Sequence, residues 1–198
     1  MGKDRFYQER KEGLWEIYWK DNDGKDILRP NGFSDYPAEI YDLFLSLIDH
    51  SGRVIDLGCG NGLMLRHLVT KSKYKLIPYG VDFIEESIKQ AKEVVMPEYA
   101  ENFKVGNIVD VDLSANFFDY IFFDPYDVHP DDMHPMINKI LKACRPRGKI
   151  IFYTYSDVLV ALKVNWVGDL LPEEIAKKLK RVDHHEVSVG VYEKNEHF

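Results

Sequence analysis

The chain is short of cysteine and of long apolar runs and has no net positive charge, and each lack closes off a class of protein. Only two cysteines occur in 198 residues, Cys59 and Cys144. Two thiols so far apart build no disulfide scaffold and fit a reducing compartment, so the expected location is cytoplasmic. Both read as small buried side chains, and Cys59 has no base beside it in sequence that would make it a nucleophile. No apolar run reaches the roughly 18 residues that a membrane span needs. The N-terminus, Met1-Gly2-Lys3-Asp4-Arg5, runs into polar sequence rather than the apolar region of a secretion signal. Phe6 stands where myristoylation at Gly2 requires Ser or Thr. The formal net charge is -7, which works against the broad basic footprint of extended nucleic-acid binding. The basic residues that do cluster, at 139–149 and 177–181, read as solvated helix faces.

What is present is the composition of a globular protein, with 45% hydrophobic and 30% charged residues. That suffices for one domain with a buried core. Residues 1–35 are the least regular and read as an N-terminal extension and candidate lid. They hold a short helix at 5–11 and the aromatics Trp15, Tyr18, Trp19 and Phe33, with Tyr36 just beyond as the expected substrate contact. The polar turn at 21–26 has its glycine two positions too early for a calcium loop, and Gly32 stands where the twelfth-position Glu belongs.

Residues 36–198 read as the main domain. Ser34 or Asp35 is the expected cap of a helix at 37–49, with Ile40, Leu43, Phe44, Leu47 and Ile48 on one face. Strands are expected at 53–57, 76–82, 103–107, 118–123 and 149–155, and helices at 62–70, 84–93 and 133–143. A turn is expected at 145–148. The alternation predicts a doubly wound, mostly parallel sheet with helices on both faces. Farther on, Pro172 opens a helix expected to reach Arg181, and 186–193 alternates as an antiparallel C-terminal strand. Residues 157–167 fit either helix or strand.

The most informative stretch is Val54-Ile55-Asp56-Leu57-Gly58-Cys59-Gly60-Asn61-Gly62, an apolar strand, a glycine turn and then a helix. Glycine is needed there because a Cβ would block the turn or the approach of a nucleotide-like ligand. A dinucleotide fingerprint would place its third glycine at position 63, which is Leu63. Asp82 ends the second strand, twenty residues past Gly62, where a carboxylate either accepts from ribose hydroxyls or lies on the surface. The other strand ends supply Asn107-Ile108, Asp124-Pro125-Tyr126 and 153–156 to the same sheet edge.

With these residues in place the sequence resembles the class I S-adenosylmethionine-dependent methyltransferases, over about residues 36–156. Residues 54–62 are similar to the family's first motif, Gly80-Val81-Asp82 to its acidic second-strand end, and 118–126 to its fourth-strand motif. The resemblance implies a seven-stranded-type Rossmann-like sheet and S-adenosylmethionine as cofactor. It implies that Gly58, Cys59, Gly60 and Gly62 lie along the methionine portion, that Asp56 orients the amino group, and that Asp82 holds the ribose. It further implies that Phe83 packs on the adenine, that Asn107 and Ile108 contact its edge, and that Asp124 lines the methyl end. Asn107 replaces the commoner Asp, and its carbonyl oxygen can still accept from the adenine amine.

The acceptor side is less defined. Asp124, Tyr126 and His129 are the candidate catalytic residues, with Pro125 and Tyr126 toward the substrate. Asp127, His129, Asp131, Asp132 and His134 fit a polar loop before a helix, an acid/base site at His129, or a metal site; no metal is expected. The expected function is methyl transfer to a small molecule rather than to nucleic acid. Three alternatives remain: an N-methyltransferase acting on RNA or protein, a silent cofactor-binding module, and a nicotinamide-dependent oxidoreductase.

Overall fold

The computed structural model describes residues 2–15, 38–182 and 184–195. The calcium-like turn, the caps Ser34 and Asp35, and Tyr18, Trp19, Phe33 and Tyr36 all lie outside those residues. Helix α1 spans Lys3–Trp15 and α2 spans Ala38–Ser46. Then β1 (Gly52–Leu57), α3 (Leu63–Lys71), β2 (Leu76–Asp82), α4 (Glu85–Gln90) and β3 (Phe103–Val105) alternate. After them come β4 (Phe118–Phe123), α5 (Pro130–Ala143), β5 (Cys144–Tyr155) and α6 (Ser156–Leu162). The chain closes with α7 (Glu173–Ala176), β6 (Lys180–Val182) and β7 (Val187–Glu193). Among the described residues no helix is long and apolar enough to cross a membrane.

The seven strands form one sheet in the order β3-β2-β1-β4-β5-β7-β6. The first five pair in parallel, and β7 runs antiparallel to both β5 and β6. Residue alternation divides the core between the two faces. Val54, Tyr120, Phe122 and Ile151 pack with Ile40, Phe44, Leu65 and Leu68 of α2 and α3. Ile55, Ile121, Phe123 and Ile150 pack with Met136, Ile137 and Ile140 of α5 on the other face. Chain order reverses between β1 and β4, so the crevice beyond their carboxyl ends is the switch point where such sheets bind ligands.

Several elements differ from the sequence reading. Helix α4 stops at Gln90 and widens into a π-turn over Ala91–Val95, closed by Met96 N donating to Ala91 O at 2.8 Å. The wider turn keeps Ala91, Val95 and Met96 all buried, which a continued α-helix would not. Helix α5 begins three residues earlier than expected, because Pro130 occupies a first-turn position and His129 Nδ1 caps the Asp131 N–H at 3.3 Å. The segment 145–148 is not a free turn but an irregular part of β5, with Arg147 at φ 65° and a register shift against β4. Residues 177–181 do not continue the helix opened by Pro172. Lys180–Val182 forms β6 against β7, and Leu179 fills the space above Gly190. Here tertiary pairing overrides the helical preference of a lysine-rich stretch. The ambiguous stretch at 157–167 is helical through Leu162.

Candidate active site

The carboxyl ends of the parallel strands surround a cavity of about 560 Å³. Its floor is the turn after β1. Gly58 and Gly60 take positive φ of 96° and 51° there, a path that L side chains resist. The turn is tied to β2, since Gly58 N and Cys59 N both donate to Val81 O at 2.9 and 3.0 Å. Gly58, Cys59 and Gly60 line the cavity. Gly62 instead caps α3 at φ 81° and packs beneath Phe103, so its role is to close the turn.

Asp56, at the end of β1, is 3% exposed, and its Oδ1 is buried with no hydrogen-bond partner among the described residues. Burial, helped by Asp82 and Asp127, pushes its carboxyl up to about 8. An orphaned carboxylate oxygen facing a cavity is the chemistry of a site that receives a hydrogen-bond donor or a cation. Asp82 is held by Gly60 N to Oδ2 and Ile84 N to Oδ1, each at 2.8 Å. Burial raises this carboxyl above its ordinary value despite those donors. Each oxygen retains a lone pair for a further donor. Phe83, Asn107 and Ile108 line the same end, and Asn107 Oδ1 also closes a turn onto Val109 N at 3.2 Å.

The opposite end is acidic and aromatic. Asp124, 7% exposed, accepts from Tyr126 N at 2.9 Å and from the Thr154 hydroxyl. Burial first, then the neighbouring Asp127, drives its carboxyl well above the usual carboxylate range. Pro125 is buried at the start of a single 3-10 turn, while Tyr126 and Asp127 face the cavity. Tyr153 and Tyr155, from the end of β5, complete that wall.

Helix α1 crosses to this turn. Arg10 Nη1 lies 3.1 Å from Asp127 Oδ1, its Nη2 donates to Tyr126 O, and its Cζ stands 3.4 Å from the Tyr126 ring centroid. Tyr7 OH donates to Asp132 at 2.9 Å and accepts from His129 N at 3.2 Å. Lys3 also pairs with Asp132.

The structure therefore brings Asp56, Gly58, Cys59, Gly60, Asp82, Phe83, Asn107, Ile108, Asp124 and Tyr126 around one cavity. His129 lies outside the cavity lining; its ring caps α5 and packs edge-on against Phe6, with centroids 5.2 Å apart. Asp131, Asp132 and His134 take separate partners, and no metal-binding cluster of His, Cys, Asp or Glu occurs among the described residues. No site role was expected of Arg10, and none specific of Asp127, Tyr153 or Tyr155. The tyrosines were visible as residues at a strand end, and Asp127 followed the fourth-strand motif. Nothing local marked Arg10.

Residues 48–196 match a family model described as a methyltransferase domain. Similar solved structures include a Pyrococcus horikoshii protein, with a TM-score of 0.64 and 18% identity over 89% of this chain and 99% of that one. An RNA methyltransferase from Salinibacter ruber, in complex with S-adenosyl-L-homocysteine, superposes with a TM-score of 0.58 and 15% identity over 82% and 95%. Phosphoethanolamine N-methyltransferase 1 of Haemonchus contortus, in complex with phosphoethanolamine and S-adenosylhomocysteine, gives 0.60 and 18% over 78% of this chain and 33% of that one. At these identities the likeness is one of fold.

Proposed function

This chain belongs to the methyltransferase domain family, and on that premise we propose that it moves a methyl group from S-adenosylmethionine to a small-molecule acceptor held beneath α1. The buried, unpartnered Oδ1 of Asp56 carries the reading, because it sits beside a glycine turn in which nothing lies within 4 Å of the place a Cβ at Gly60 would take, leaving room for a ligand against the backbone. A ligand ammonium supplies the donor that Asp56 lacks. Asp82 accepts from the ribose hydroxyls with its remaining lone pairs. Phe83, Asn107 and Ile108 hold the adenine. Bound S-adenosylmethionine supplies the activated methyl on its sulfonium.

The chain's own contribution is position and electrostatics. Asp124, fixed by Thr154 and Tyr126 N, borders the acceptor end. Tyr126 packs on the acceptor. Asp127 is a candidate for holding a proton, since burial raises it to about 6 against the pull of Arg10. The N-terminal extension acts as the lid through α1, which adds Arg10 to the cavity wall. That wall and the net charge of -7 favour a small acceptor over a nucleic acid.

Calorimetric titration tests the reading. S-adenosylmethionine and S-adenosylhomocysteine bind and NAD does not, and transfer of a labelled methyl to small-molecule fractions follows. Absence of binding by either sulfur compound sinks it.

A further inference from the structure

Once Asp56 and Asp82 are assigned to the cofactor, the rest of the wall presents Arg10, Asp124, Tyr126, Asp127, Tyr153 and Tyr155. Among the described residues no lysine lines it, and its one arginine already faces Asp127. The guanidinium lies between an aromatic face and a carboxylate, with Cζ 3.4 Å from the Tyr126 centroid and Nη1 3.1 Å from Asp127 Oδ1. That is the chemistry of a cation box, in which ring quadrupole and carboxylate both attract positive charge. The parts differ in how firmly they are held. Tyr126 and Asp127 stand on the turn after β4, at the centre of the sheet, with Asp124 accepting from Tyr126 N. Arg10 arrives on α1, whose side-chain contacts to the domain, among the described residues, are polar, edge-on or cation-over-ring and fall on the segment 126–132.

We infer that the methyl acceptor is an amine that binds as a cation, seated against Tyr126 and Asp127 where the Arg10 guanidinium now lies. An acceptor presenting a carboxylate or phosphate would meet Asp124 and Asp127 with no unpaired cation in the described wall to receive it. The inference rests on the methyltransferase reading. Methyl transfer to such an amine balances: one N–C bond forms, the C–S bond breaks with its electron pair left on sulfur, and one ammonium proton passes to a carboxylate and then to water.

The test uses the full-length protein saturated with S-adenosylhomocysteine, titrated calorimetrically with benzyltrimethylammonium, benzoate and benzyl alcohol. The ammonium should bind at least about tenfold more tightly than the other two. Arg10→Met should tighten it about three- to tenfold by removing the internal competitor. Tyr126→Leu should weaken it about tenfold, and Tyr126→Phe should restore it, with a wild-type circular dichroism spectrum and a single cooperative melt in each variant as the check on folding. A preference for benzoate that disappears in Arg10→Met overturns the inference, because Arg10 is then an anion receptor. Equal affinity for all three probes overturns it as well. Failure to bind S-adenosylhomocysteine strikes the methyltransferase reading itself, and this inference with it; binding without ammonium preference strikes this inference alone.

Discussion

The Asp82 carboxylate accepts the Gly60 backbone N–H at 2.8 Å, so the end of β2 fastens the glycine turn that follows β1. Its other oxygen accepts the Ile84 N–H at the same distance and starts α4. One side chain thus shapes the turn and the next helix while keeping a lone pair on each oxygen for a further donor. Asp82→Ala should therefore act on folding and binding together. Two buried N–H groups lose their acceptor, at a cost of about 2 kcal/mol in denaturant unfolding. Affinity for S-adenosylhomocysteine should fall roughly ten- to 100-fold by calorimetry. Full affinity in this variant removes Asp82 from the cofactor site.

The buried carboxyl of Asp56 gives the ligand-free protein a pH dependence of calculable sign. Burial places it at about 8 in the fold, whereas an unfolded chain releases that proton near a pKa of about 3.9. The native state then holds the extra proton between these values, so this group's contribution is full below about pH 4 and is lost as pH rises toward 8. Asp56→Asn, neutral and nearly the same shape, should be the more stable protein at pH 8 by roughly 2–4 kcal/mol and lose that advantage by pH 4–5. Binding moves oppositely. A ligand ammonium favours the ionised carboxylate, so wild-type affinity for S-adenosylmethionine should rise from pH 6 to pH 8 with proton release, and the Asn variant should bind weakly with a flat profile. Calorimetry in buffers of different ionisation enthalpy reads the protons directly; no release in the wild type refutes the assignment.

The glycine-turn side of the cavity was legible because strand, turn and helix signals lie within a few residues of one another. Residues 54–62 carry both the apolar run and the glycines, and β2 and β4 fell at their expected bounds because each is a short, strongly apolar run. The acceptor half depends on contacts far apart in sequence. Arg10 reaches Asp127 across 117 positions, and no local pattern encodes that meeting. His129 looked chemical in sequence because a histidine among aspartates is also what a metal or proton-transfer site looks like. In the fold its nitrogen caps α5 instead. Strand β6 was hidden by lysines that favour helix until Gly190 and Leu179 are brought together.

Two glycines of the turn should separate binding from folding. At Gly62 a Cβ would stand 3.0 Å from Phe103 Cε1, in the core, and the backbone is at φ 81°. Gly62→Ala should cost about 2–4 kcal/mol from left-handed strain and overpacking, a fall in Tm of roughly 5–15 °C. At Gly60 nothing lies within 4 Å of the added Cβ, and the φ of 51° is mild. Gly60→Ala should keep Tm within about 3 °C of wild type, yet lose at least about tenfold in S-adenosylhomocysteine affinity by filling cavity space. If the two variants lose stability equally, the division of labour within the turn is wrong.

The hydroxyl of Tyr7 joins α1 to the site loop from both sides, donating to Asp132 and accepting from His129 N. Tyr7→Phe keeps the ring beside Phe6 and removes only the hydroxyl. Losing a partly buried hydrogen bond of this kind costs about 1 kcal/mol, which corresponds to a roughly fivefold larger open fraction of α1. Amide exchange in 3–15 should speed by that factor while α5 and the central strands stay unchanged, because α1 opens as its own unit. With the lid loosened, dissociation of S-adenosylhomocysteine should speed by a similar factor in stopped-flow displacement. Unaltered exchange in α1 would show that the Tyr7 hydroxyl does not hold the helix, and unaltered dissociation from a loosened α1 would show that the helix does not gate the cavity.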